Sequence, residues 1–177
     1  MFAQKLSAEQ RLQKNVSKIM GHDRYIALAG VMMVGERGIK DDVPTACTNG
    51  RDEWYGRDFV MGLSDAEFRF IILHEARHKV YRHLTTWARL FKRNPQAANM
   101  ACDYVINLQI SDENTDGFAA MPRNPDGSAM GCLDNKYRGM SSYQVFQDLV
   151  NQQEEEEEGQ GEGEGDSGGG GATGFDE

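Results

Sequence analysis

Cysteine is scarce in this 177-residue chain. Cys47, Cys102 and Cys132 stand far apart, with no Cys-x-x-Cys pair. That argues against a cysteine-based zinc ribbon and a disulfide framework, and an odd number of widely spaced thiols fits a reducing compartment. Long apolar runs are missing too. The longest, "YIALAGVMMV", falls far short of the roughly 20 residues that span a bilayer. The N-terminal "MFAQKLSAEQRLQKN" lacks the apolar centre of a secretory signal. A basic surplus is also absent. Ten of the 28 acidic residues lie from Gln152 onward, and the remaining 18 nearly balance the 19 Lys and Arg. Nucleic acid and membrane are therefore not the expected partners, and the expected location is cytoplasmic.

What is present reads as one modest domain over residues 1–151, followed by a tail over 152–177. That tail, "QQEEEEEGQGEGEGDSGGGGATGFDE", is acidic and Gly-rich, and its composition predicts disorder. Residues 5–20 have helical apolar spacing, with Gly21 as a stop. "RYIALAGVMMV" is continuously apolar and reads as a buried strand, with a short buried helix as the alternative. "TACTNGRDEWYGRDFV" carries Asn49-Gly50 between two candidate strands, a strong hairpin signal. Ser64 and Glu67 form a capping box that predicts a helix from about 65 to the early 90s. Asn94-Pro95 predicts another over roughly 95–110. A long Pro-, Gly- and Asn-rich stretch follows, of a length that points to function or to packing over a site. "SSYQVFQDLV" then closes the domain as a short helix.

The helix from Ser64 contains His74-Glu75-x-x-His78. Residues four apart share one helix face, so both imidazoles can reach one ion. Glu75 lies about 100° round, where it can take a proton from a water activated by zinc. A solvated charged face is the bland alternative. Against it, Phe70, Ile71, Ile72 and Leu73 precede the motif as a core-entering helix would.

Two histidines need a third ligand. His83 is close in sequence, but on an unbroken helix it lies about 140° from His78 and about 180° from His74, pointing away. "HEARHKVYRH" has no Gly to bend it, so the metzincin arrangement does not fit. His22 reads as an ordinary surface histidine. On the following helix, Asn99, Asp103 and Asn107 form a polar stripe at i, i+4, i+8. Asp103 stands in the apolar run "ACDYVI", where a carboxylate is costly unless paired or metal-bound. Asp103 is the expected third ligand, with Asn107 in an outer supporting role.

Together, "TACTNGRDEWYGRDFV", "LSDAEFRFIILHEARHKVYRH", "NMACDYVINLQI" and "DNKYRGMSSYQVFQDL", in this order over most of residues 45–150, resemble a known family. It is the zinc metallopeptidase domain often found ahead of a VWA-like domain, in proteins linked to MoxR-type AAA+ ATPases. The resemblance implies a metal site at His74 and His78, with Asp103, Tyr104 and Asn107 in its Ala-x-Asp-Tyr-x-Ile-Asn segment. It also implies VWA-domain or AAA+ ATPase partners. In such proteins the acidic linker leads into a second domain, whereas this sequence ends at "GATGFDE".

The expected fold is α+β and zincin-like, of a minimal gluzincin type. It has an N-terminal helix, a small sheet with the 45–60 hairpin, the motif helix and a second ligand-bearing helix. "RDEWYGRDFV" is the expected edge strand for an extended substrate. The expected function is a zinc-dependent peptidase acting on protein or peptide. His74, His78 and Asp103 hold Zn2+, and Glu75 is the general base. Tyr104, Tyr137 and His83 are candidate oxyanion donors. The alternative is a non-catalytic, zinc-stabilised protein-interaction module.

Overall fold

Ser7 opens the first helix. Its hydroxyl accepts from the Gln10 amide while the Gln10 side chain accepts from the Ser7 amide. This box starts α1 at Ala8 and the helix runs to Met20, with Leu12 and Ile19 on its inner face. The computed structural model describes residues 5–161.

The next segment is not the expected strand. A 3-10 turn, Ile26–Leu28, leads into the one-turn helix α2, Ala29–Met32. Within residues 24–34 only Tyr25 and Met32 are buried, while Ile26 is 59% and Met33 76% exposed. Seven residues apart, Tyr25 and Met32 share a helical face. A helical turn also satisfies its own backbone without a neighbouring strand.

Three short strands follow: β1 (Arg37–Lys40), β2 (Ala46–Thr48) and β3 (Glu53–Gly56), in the order β1-β3-β2. β2 and β3 are the expected hairpin, antiparallel with Cys47 opposite Trp54. Gly50 takes φ 89° in the turn, and Asn49 Oδ1 accepts from the amides of Arg51 and Asp52. "RDEWYGRDFV" is corrected twice. Its first half is β3, the central strand, paired parallel to β1 and antiparallel to β2, so it offers no free edge. Its second half is helical: α3, Arg57–Gly62. The edge that borders the site belongs to β2. β1 went unpredicted because "RGIK" carries little apolar periodicity. Pairing with β3 and an Arg37–Glu53 ion pair hold it instead.

Ser64 caps α4, Asp65–Val80, through the reciprocal bonds with Glu67 that the sequence predicts. Phe68, Phe70, Ile72, Leu73 and Ala76 are all buried, which makes α4 the central helix. Burying each of the larger side chains contributes about 1.5–3 kcal/mol. From α1, Arg11 donates to the carbonyls of Val60 and Leu63 and to Asp65, which pins α1 against the start of α4.

The expected helix from 65 to the early 90s is in fact three. α4 stops at Val80, and Arg82 adopts a left-handed conformation, φ 51° and ψ 43°. Two short helices follow, α5 (His83–Thr86) and α6 (Ala88–Arg93). Asn94 then caps α7, Pro95–Glu113, its Oδ1 accepting from the Ala97 amide at 3.0 Å. α8, Ser142–Gly161, packs on α7, and Leu90, Ala97, Ala101, Leu108, Tyr137, Val145 and Phe146 form a second core there.

α8 runs past the expected end at Val150 and through the 151/152 boundary. Glutamate is a good helix former, Asn94 Nδ2 donates to Gln153 Oε1 at 3.1 Å, and Arg93 lies 3.7 Å from Glu154. Residues 162–177, the rest of the expected tail, lie outside the described residues. The fold is α+β. Among the described residues no helix is long and apolar enough to cross a membrane.

Candidate metal centre

α4 and α7 pack side by side, and their facing polar side chains meet at the floor of a cleft of about 480 Å³. α4 supplies His74, Glu75 and His78, and α7 supplies Asn99, Asp103 and Asn107. The walls are β2 with its flanks (Thr45, Ala46, Cys47, Thr48), Leu84 and Phe91 near the α5–α6 corner, and Met121, Met130 and Cys132 from the long loop. That loop does pack over the site, as its length suggested.

The structure brings His74, His78 and Asp103 to one point. His74 Nε2 and His78 Nε2 are 3.0 Å apart. Asp103 Oδ1 lies 3.0 Å from His78 Nε2 and 3.5 Å from His74 Nε2. Three lone-pair-bearing atoms thus converge within 4.8 Å of one another. Around a tetrahedral zinc with bonds of about 2.0–2.2 Å, neighbouring ligand atoms stand about 3.3 Å apart. The donor set and its spacing fit such an ion.

Each of the three leaves one atom for the centre and binds elsewhere with the other. Asn107 Oδ1 accepts from His74 Nδ1 at 2.7 Å. Asn107 is itself fixed, because its Nδ2 donates to the Cys132 carbonyl at 2.8 Å. Asn99 Nδ2 donates to Asp103 Oδ2 at 2.9 Å, which leaves Oδ1 to face the two imidazoles. His78 Nδ1 meets Nδ1 of His83 at 3.1 Å. Such outer contacts set ligand tautomer and direction.

The charges are strongly coupled. Burial opposes the His74 imidazolium, but the bond to Asp103 and the Glu75 charge outweigh it and hold His74 up at about 9. Burial likewise opposes ionised Asp103, yet the two imidazoles pull it down to about 2. Glu75 is pushed up, first by burial, with His74 and His78 working against the rise. Burial and then the neighbouring His78 lower His83 to about 4.

The other two histidines and the two candidate tyrosines do not line the cleft. His22 pairs with Asp116 at 3.3 Å and packs on Phe118, outside the cleft. Tyr104 and Tyr137 pack with ring centroids 4.6 Å apart, and Tyr137 donates to Asp148; neither lines the cleft. His83 does not point away as an unbroken helix requires, because the turn at Arg82 brings it back onto His78. Asn99 was legible only as part of the i, i+4, i+8 stripe, and its bond to Asp103 explains that stripe.

A family profile described as "Putative metallopeptidase domain" matches residues 7–175. The chain belongs to this family. Membership in the metallopeptidase-domain family implies a metal cofactor, and the His74–His78–Asp103 cluster is a place that suits one. No curated protein and no solved structure matches the chain.

Proposed function

We propose that the protein is a zinc-dependent endopeptidase with a zincin-like active site. One observation carries the reading: His74 Nε2, His78 Nε2 and Asp103 Oδ1 converge beside Glu75 on the floor of a cleft. His74, His78 and Asp103 would hold the ion. When bound, zinc supplies a Lewis acid that acidifies a water and polarises a carbonyl.

The chain's own groups do the rest. Glu75 takes the proton of the attacking water and passes it to the leaving amine. Glu75 is suited to both steps because it sits on the cleft floor one residue from His74, on the helix that carries both histidines. Asn107 and Asn99 hold His74 and Asp103 in place. The edge of β2 not bonded to β3 borders the cleft, and an extended substrate can add there as a further strand. Ile71, Leu84 and Phe91 bring partly exposed apolar surface to the cleft wall, which suits apolar substrate residues. The resemblance to domains that accompany VWA-like modules extends the proposal to VWA-domain or AAA+ partners.

The test is metal analysis beside hydrolysis of unfolded proteins and peptide libraries. Wild type should carry about one zinc per chain. Glu75→Gln should keep the zinc and lose at least about a hundredfold in rate. Asp103→Ala should lose the zinc. A zinc-loaded wild type that cleaves none of these substrates would instead support a non-catalytic, zinc-stabilised interaction module.

A further inference from the structure

His83 is only 3% exposed, and its ring meets that of His78 edge-on, with planes 86° apart and centroids 5.0 Å apart. The two Nδ1 atoms are 3.1 Å apart. In such a contact one nitrogen donates a proton and the other accepts it. His78 Nε2 is the atom beside Asp103 Oδ1 and His74 Nε2. A nitrogen that ligates a metal offers a lone pair and carries no proton. On a neutral ring the proton then sits on Nδ1, the atom facing His83. The Nδ1 of His83 must therefore be bare, with its own proton on Nε2.

We propose that His83 is the positioning residue of His78: its bare Nδ1 accepts the His78 Nδ1–H and fixes the tautomer and direction in which His78 meets the metal. The proposal rests on His78 being a ligand, as read above.

The backbone is shaped for this contact. Five residues along an unbroken helix, His83 would lie about 140° round from His78 and out of reach. Arg82, with φ 51°, is the one non-glycine residue of positive φ among the described residues, and it turns the chain so that α5 carries His83 back. A side-chain-bearing residue in this region is disfavoured, so the turn needs a compensating contact. The buried His78–His83 pair is such a contact. Its chemistry also parallels the other histidine, since Asn107 accepts from His74. Both acceptors are neutral. A carboxylate in either place would add negative charge and make the ligand more basic, so neutral partners leave the ion the stronger Lewis acid.

The experiment compares zinc affinity of the full chain, by competition with a chelator, in wild type, His83→Phe and His83→Asn. Phenylalanine fills the space without an acceptor, while the asparagine oxygen stands where Nδ1 stood. His83→Phe should weaken zinc binding about 10–100-fold, and His83→Asn should restore most of it. A reading that needs no variant is nitrogen-15 NMR of the zinc-loaded wild type, with a proton expected on His78 Nδ1 and none on His83 Nδ1. Unchanged affinity in His83→Phe, equal loss in both variants, or a protonated His83 Nδ1 overturns the proposal alone. A wild type that binds no zinc overturns it together with the metal reading.

Discussion

Glu53 on the central strand and Lys79 on α4 form a buried ion pair, 2.9 Å apart, with side chains 0% and 3% exposed. Arg37 and the Tyr55 hydroxyl share the same carboxylate. Burial opposes its charge, but the two cations prevail and hold its pKa below the usual range. Glu53→Ala removes the carboxylate that Lys79 and Arg37 share and leaves the buried Lys79 amine only the Val34 carbonyl. Urea unfolding should show a loss of about 3–5 kcal/mol.

Asp65 ties the start of α4 to α1. The Lys14 bond above all holds its pKa far below the usual range; partial burial works the other way, and Asn15 and Arg11 assist Lys14. A depressed folded pKa gives stability that is present above the ordinary value of about 3.9 and lost as pH falls towards the folded value. Asp65→Asn should therefore be less stable than wild type near about pH 7. The gap should narrow near about pH 3 in denaturant titrations at the two pH values.

Arg82 offers a backbone test. Arg82→Gly keeps the left-handed turn without a Cβ clash, so stability should be unchanged or up to about 1 kcal/mol higher. Zinc affinity should be kept. Arg82→Val places a β-branched residue where it fits worst, and should lower both stability and zinc affinity. Thermal melts and chelator competition read the two effects.

The three thiols are free and differ in access. Cys47 is exposed on β2, Cys102 is buried and pushed up to about 12, and Cys132 is pushed up to about 11 by burial and by Asp103. A maleimide should label Cys47 first in the native protein, located by mass spectrometry, and all three after denaturation. A peptide that adds to β2 should slow the Cys47 reaction.

The capped helix starts at Ser64 and Asn94 and the Asn49-Gly50 turn were legible because each is a local contract between a side chain and nearby amides. Asp103 was legible because a carboxylate in an apolar run needs a partner. Non-local causes hid the rest. Nothing in "VYRHL" signals that Arg82 turns left-handed, since that conformation persists through contacts made by α5 and His83. β1 depends on Glu53, sixteen positions away, and "RDEWYGRDFV" could not reveal that both its edges are taken. The Cys132 carbonyl that fixes Asn107 comes from a loop without periodicity.

The sheet gives no donor to the metal set. His74 and His78 come from α4 and Asp103 from α7, while β2 only borders the cleft. In the proposed peptidase, recognition and chemistry are therefore built on different elements, which the Glu53–Lys79 pair joins. In that peptidase such a division favours evolvability: changes along β2 and the loop can redirect substrate choice, while the helical pair keeps the metal donors intact.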